Sequence, residues 1–304
     1  MPWDIFKFIF RLLTFRPNII LLNPSLGDKA LKRDFIYLNI CRFFRKKTSV
    51  FIHGFNFEYA KNADWKWIST NLNKALCIFV LSQEFKNELI RRGVKSDIHL
   101  TSTKVPDYFI SGFDLSMRQG KAKNIMYSGR IEKAKGVYET VDTFSILKSQ
   151  YKDLTLTFVG DGSELPKLKQ YVENKKIKDV RFTGRLCGED FKKEYINADM
   201  YLFLSYTEGM PTVVLEAMIF GLPIFTRKVG GLIDFFENGK MGYISSSLDP
   251  VVFAEAMKPY IESSAKMKSV SLYNSEYART HFIASVVARK FENTLNLSLI
   301  HISE

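Results

Sequence analysis

MYLFLSYTEGMPTVVLEAMIFGLPIFT, residues 200–226, reads as a strand, a loop, a helix and a second strand in direct succession. The apolar run MYLFLS (200–205) is a buried strand. A polar loop follows and carries Glu208, Gly209, Met210 and Pro211. The helix begins near Thr212, and Pro211 suits its first turn, where a missing N–H costs nothing. LPIFT (222–226) is the next strand. A strand that returns through a helix is the crossover unit of a parallel sheet. The free amides of the first turn and the positive end of the helix dipole favour an anionic ligand beside this loop. Glu216 lies about one turn into the helix and eight residues after Glu208. Both carboxylates can therefore face one ligand, and a carboxylate that accepts two hydroxyls is a common way to hold a ribose. Taken alone, Glu208 has a plainer reading as an acid that favours its own helix.

The alternation continues on both sides. NIMYSG (124–129), LTLTFVG (154–160) and VRFTG (180–184) are strands, followed by helices over 136–150, 164–174 and 189–197. The first of these helices places Val137, Val141, Phe144 and Leu147 on one face. Nearer the start, NIILLN (18–23), TSVFIHG (48–54), CIFVLS (77–82) and IHLTST (98–103) are strands, with helices predicted over 28–44, 71–76 and 83–92. SGFDLSMRQGKAK (111–123) is polar and weakly periodic, so the domain boundary is placed there. The result is an α/β chain with a first domain over 1–115 and a second over 121–290. Ligands in such sheets bind where strand carboxyl ends lead into helices.

Two more loops occupy that position. YSGRIEKAKGVYETVD (127–142) sets Arg130 and Lys135 beside a helix start. A planar fork and a mobile point charge can together neutralise a departing diphosphate. Alone, both would be surface cations. FVGDGSELPKL (158–168) has a Gly-Asp-Gly turn, which many α/β loops use simply to turn.

Composition narrows the function classes. With 304 residues, 46% hydrophobic and 25% charged, the chain can fill two cores and is neither disordered nor fibrous. Cys41, Cys77 and Cys187 are far apart, no CxxC exists, and four histidines are present. That argues against a disulfide framework or structural zinc and for a reducing cytoplasm. Residues 1–120 hold 19 Lys/Arg against 10 Asp/Glu, and residues 121–304 hold 25 against 22. The basic, aromatic-rich front makes an anionic membrane surface a candidate partner, with a solvated basic face as the plainer alternative. No nucleic-acid motif is present, so nucleic acid is not among the partners. MPWDIFKFIFRLLTFRP (1–17) is too short and too charged to span a bilayer and predicts an amphipathic helix ending before Pro17. Packing on its own domain and contact with a membrane both remain open for it.

In order, GRIEKAKG, VGDGSELPKL, FTGRL, ADMYLFLSYTEGMPTVVLEAMIFGLPIF and VGGLIDFFENGKMGYI closely resemble the C-terminal half of glycosyltransferase family 4. The resemblance implies the GT-B fold, in which two Rossmann-like domains face each other across a cleft. It implies a retaining glycosyltransferase that moves a sugar from a UDP- or GDP-sugar to a glycan or lipid-linked acceptor. By position, Arg130 and Lys135 would grip the donor diphosphate. Glu208 would sit beside the transferred sugar as a catalytic carboxylate, and Gly209, Met210 and Pro211 would present backbone to sugar and phosphate. Glu216 would hold the ribose, Arg185 and Leu186 would lie at the base, and Gly230 and Gly231 would give backbone room. RPNIILLNPS, SVFIHG and FVLSQEFKNELIRRG resemble later parts of the family's first domain. There His53 would reach the cleft as a second catalytic residue, with a buried structural histidine as the alternative.

The family's first strand and glycine-rich loop have no counterpart here, so the first domain is expected to be incomplete. LSLIHISE (297–304) resembles a translated sequencing adapter and is expected to be a non-native tail. No Asp-x-Asp metal motif occurs, and neither a metal nor a cofactor beyond the donor is expected. The expected location is the cytoplasm, peripheral to the inner face of the cell membrane. Two alternatives to the transferase remain: a non-catalytic nucleotide-sugar-binding module and a nucleotide-sugar 2-epimerase.

Overall fold

A computed structural model describes residues 2–118, 120 and 122–300. The chain forms two compact units, one running to Ser102 and resuming at Ala288, the other spanning Thr103–Val287. The expected boundary at 115–121 is therefore displaced, and residues 103–115 belong to the second unit. Residues 301–304 of the adapter-like tail lie outside the described residues.

The first unit contains α1 (Pro2–Phe15), β1 (Ile19–Leu22), β2 (Ser25–Leu26), α2 (Asp28–Phe43), β3 (Lys47–Ile52) and β4 (Gly54–Phe55). It continues with α3 (Phe57–Asn62), α4 (Trp65–Leu72), β5 (Cys77–Val80), α5 (Gln83–Arg91) and β6 (Asp97–Leu100). Its main sheet has the order β1-β3-β5-β6, all parallel, and β2 pairs with β4. β5 is buried along its whole length, which is why CIFV is continuously apolar. α2 buries Leu31, Phe35, Leu38 and Cys41, one stripe at helical spacing. The helix predicted over 71–76 instead spans Trp65–Leu72, because Asp64 caps it by accepting from the Trp67 amide at 3.0 Å. α1 forms as expected. Leu12 is buried and the Phe8 ring lies 4.7 Å from Tyr37, but Trp3, Phe6, Phe10 and Leu13 stay exposed.

The second unit contains β7 (Asn124–Ser128), α6 (Val137–Gln150), β8 (Thr155–Val159), α7 (Leu165–Asn174), β9 (Val180–Phe182) and α8 (Gly188–Asn197). β10 (Met200–Phe203), α9 (Thr212–Ile219), β11 (Ile224–Arg227), β12 (Gly242–Ser245), α10 (Pro250–Glu262) and α11 (Ser264–His281) follow. α12 (Ala284–Ile300) is the last described element, and its residues from Ala288 on belong to the first unit, where Phe291 stacks on Phe79 at 4.0 Å. The sheet order is β12-β11-β10-β7-β8-β9, all parallel. The order reverses between β7 and β10, and such a switch opens a crevice at the strand carboxyl ends.

The polar stretch read as a linker is built into the second unit. Phe109 and Phe113 pack edge-on against Phe220, with ring centroids 5.4 and 4.9 Å away. The Arg118 guanidinium donates to the carbonyls of Phe220 at 2.9 Å, Tyr195 at 2.7 Å, Ile196 at 3.0 Å and Ala198. One partly buried side chain thus satisfies the orphan carbonyls at the ends of α8 and α9. Burial pushes its pKa down to about 10, still far above neutral, so it remains charged. Cys41 and Cys77 are buried thiols and Cys187 is exposed. Among the described residues, no helix is long and apolar enough to cross a membrane.

Arg118→Leu would leave four carbonyls without donors. It should cost the second unit about 3 kcal/mol or more, at roughly 1 kcal/mol per lost hydrogen bond. Urea unfolding followed by circular dichroism measures this, and an unchanged midpoint would show that the caps contribute nothing.

Candidate functional site

The carboxyl ends of β7, β10 and β11 carry loops that touch through their backbones. Gly136, left-handed at φ 68°, lies so close to the Leu204 carbonyl that a Cβ there would meet its oxygen at 2.0 Å. The Tyr206 amide donates to the Ala134 carbonyl at 2.9 Å. On the other side, the Gly231 amide donates to the Gly209 carbonyl at 2.7 Å. Gly230, at φ 50°, passes the same carbonyl so closely that a Cβ would lie 2.1 Å from it. The room expected from Gly230 and Gly231 is thus spent on seating the Glu208–Gly209 backbone.

These contacts bring together two of the expected residues. The Lys135 ammonium donates to Glu208 Oε1 at 2.6 Å, and the two side chains are 16% and 15% exposed. An occluded pair of this kind holds both charges in place before any ligand arrives. Lys135 has three donors and gives one to Glu208, so two can still face an anion. Arg130 is 69% exposed and turned to Glu132, 2.9 Å away, not to Lys135. Met210 and Pro211 bury their side chains and offer the chain's backbone. The Met210 carbonyl accepts from Thr103 Oγ1 at 3.3 Å. Among the described residues, the amides of Thr212 and Val213 in the first turn of α9 have no acceptor in the chain. They remain donors for a ligand.

Glu216 is partly buried one turn into α9 and accepts a hydrogen bond from the Tyr195 hydroxyl at 2.8 Å. Burial pushes its carboxyl up to about 7, and the tyrosine bond only partly opposes this. Tyr195 Oη also lies 2.8 Å from Ser128 Oγ, which lies 2.9 Å from Tyr201 Oη. This hydroxyl chain was not apparent from the sequence, because Tyr195 and Tyr201 sit at ordinary core positions. A second unanticipated group surrounds Tyr206. Its hydroxyl donates to Glu139 Oε1, and the Arg227 guanidinium lies 4.8 Å from its ring centroid. Glu139 Oε2 and Arg227 Nη1 are buried without hydrogen-bond partners in the described chain.

The remaining candidates are separate. Arg185 is exposed and Leu186 partly buried in the loop between β9 and α8. His53 belongs to the first unit, directly after β3. It is exposed, not a buried structural histidine, and its Nε2 lies 3.2 Å from Ser25 Oγ. Among the described residues, no group of three or more His, Cys, Asp or Glu side chains could hold a metal ion.

A family model described as glycosyl transferases group 1 matches residues 116–277, more than half of the chain. A GDP-mannose-dependent alpha-mannosyltransferase of Corynebacterium glutamicum is 27% identical over 216 residues, covering 68% of this chain and 49% of that protein. The capsular polysaccharide biosynthesis glycosyltransferase CapM of Staphylococcus aureus is 26% identical over 183 residues, covering 58% and 46%. The chain spans about half the length of these two relatives. Anabaena HepE, crystallised with UDP and glucose, matches with a TM-score of 0.75 at 18% identity over 95% of this chain and 80% of HepE. That likeness shows the fold, the α/β GT-B architecture.

A double-mutant cycle on Lys135→Met and Glu208→Gln should give a coupling of about 0.5–3 kcal/mol in urea unfolding, as contacting charged pairs do. A coupling of zero would mean that the pair does not form. Glu216 carries a pH test. Hydroxyls donating to its carboxylate would favour the charged form and lower its pKa on binding. The complex then holds fewer protons than the free chain, so affinity should rise with pH up to about 7 and level off above. Calorimetry with a nucleotide-sugar, whose diphosphate diester does not titrate in this range, should show the effect in the parent and lose it in Glu216→Gln. The same profile in both would clear Glu216 of contact with the ligand.

Proposed function

The chain belongs to the glycosyl transferases group 1 family, and from that premise we propose that it moves a sugar from a UDP- or GDP-sugar to a glycan or lipid-linked acceptor, with the anomeric configuration kept. The observation that carries this reading is the occluded Lys135–Glu208 pair at the strand carboxyl ends, with Glu216 in the next helix. The diphosphate lies against Lys135 and the free amides of α9, while Glu216 takes the ribose hydroxyls and Glu208 faces the sugar.

In the transfer, the bond between the sugar's anomeric carbon and the diphosphate oxygen breaks, and its electron pair leaves with the diphosphate. Lys135 offsets that growing charge without moving, because it is already held. The carbon gains oxocarbenium character, which the negative Glu208 stabilises. The acceptor oxygen bonds on the face the diphosphate leaves, and its proton passes to the departing phosphate. Arg130 reaches the diphosphate by leaving Glu132, an exposed pair that costs little to break. No metal is needed for this charge balance. The buried and exposed free thiols suit a cytoplasmic setting, and the basic first unit suits the inner membrane face, where a lipid-linked acceptor would lie.

Calorimetry with UDP- and GDP-sugars should show binding that survives EDTA. Arg130→Ala and Lys135→Ala should each weaken it by about 1–3 kcal/mol, the range for a lost charged hydrogen bond. Undiminished affinity in both variants, or binding abolished by EDTA, would contradict this reading. Transfer to a membrane lipid extract should fall steeply in Glu208→Gln. Tight binding without transfer would leave only a nucleotide-sugar-binding module.

A further inference from the structure

We propose that a cavity of about 300 Å3 in the first unit, lined by Arg42, Arg45, Lys46, Lys47 and Lys74, takes the phosphate of an anionic phospholipid and so docks this unit on a bilayer. The cavity lies where the strands begin. Lys47 is the first residue of β3, and Lys74 to Leu76 lead into β5. Crevices for the substrates of parallel α/β sheets open at the opposite, carboxyl edge. This one is therefore a separate site of the same unit, away from the edge that carries His53.

No Asp or Glu lines the cavity. From Phe35 to Phe57 the chain has four cations and no acid. The cations that are held are held by neutral atoms. Lys74 Nζ donates to Asn39 Oδ1 at 2.8 Å and Asn71 Oδ1 at 2.9 Å, Lys46 to the Pro17 carbonyl at 3.4 Å and Lys47 to the Leu299 carbonyl at 3.5 Å. Among the described residues, the guanidinium groups of Arg42 and Arg45 meet no acceptor. Five like charges around one cavity repel each other, and nothing in the described chain neutralises them. A phosphate would do so and would match the open guanidinium forks.

The neighbours point to a lipid-borne phosphate. Phe43, between the two arginines in sequence, is 82% exposed. Phe15, two residues before the Pro17 that Lys46 touches, is 79% exposed. It ends α1, whose outward Trp3, Phe6, Phe10 and Leu13 recur at helical spacing with Lys7 and Arg11 between them. Exposed aromatics interleaved with cations suit the boundary of headgroups and acyl chains. The purpose of such docking, access to a lipid-linked acceptor, rests on the transferase reading, whereas the binding itself does not.

Flotation of the whole chain with vesicles of phosphatidylcholine, with and without phosphatidylglycerol, tests the site. The parent should float with the anionic vesicles at low salt and not with the neutral ones. Arg42→Gln/Arg45→Gln should weaken partitioning roughly thirty-fold, since each cation near an anionic leaflet contributes about five-fold. Phe43→Ser should weaken it while keeping the salt dependence. Lys176→Gln/Lys178→Gln, the same charge change in the second unit, should alter nothing, and circular dichroism should be unchanged throughout. The proposal is overturned if the double arginine variant floats like the parent. Two other results would also overturn it: binding of glycerol 1-phosphate in calorimetry without vesicle binding, or self-association that lipid leaves unaltered. Donor binding read in parallel keeps the two readings apart: UDP-sugar affinity should be the same in Arg42→Gln/Arg45→Gln as in the parent.

Discussion

The Lys135 ammonium reaches Glu208 across 73 residues of chain because the loop after β7 rests directly on the loop after β10. That approach depends on Gly136, whose missing Cβ leaves space for the Leu204 carbonyl. It is held by the Tyr206 amide on Ala134 and, from the far side, by Gly231 on Gly209. Three loops are thereby fixed against one another before any ligand arrives. Preorganised charge of this kind needs no rearrangement when charge develops in a reaction. It also explains the composition of the loops, since the close backbone approaches leave no room for side chains.

Much of this was legible beforehand. The alternation of apolar runs with helix-period segments marked the parallel sheets, because strands buried on both faces must be apolar throughout. The loops at the strand carboxyl ends were legible because glycine, proline and charge stand out against that background. What escaped was whatever depends on contacts between distant segments. Arg118 looked like a charge in a linker, and its role as a cap arises from carbonyls 77 to 102 residues further on. Tyr195 and Tyr201 occupy ordinary core positions, yet their hydroxyls form one chain with Ser128 and Glu216. The α4 helix begins before its apolar pattern suggests, because its start is set by one carboxylate, Asp64.

Glu216 and Glu208 show how one loop and helix give two carboxylates different characters. Glu208 shares its charge with a lysine at 2.6 Å, while Glu216 has a tyrosine hydroxyl and a desolvated setting. The first is held in place by its ion pair. The second sits with its carboxyl near 7, poised to ionise when hydroxyl donors arrive. Arg118 secures the ends of the helices that carry Tyr195 and Glu216, so the core of the second unit and the strand carboxyl ends are held together. The first unit has its own logic, with cations held by neutral acceptors at one edge of its sheet and a histidine beyond the other.

Hydrogen exchange of the whole chain, with and without a saturating UDP- or GDP-sugar, tests the central claim most directly. That claim is that the loops joined by Lys135 and Glu208 form the donor site. Backbone amides over 129–136, 205–216 and 228–231 should become protected together, and those over 42–47 should not change. Protection that spares these three loops while the donor is demonstrably bound would contradict the account.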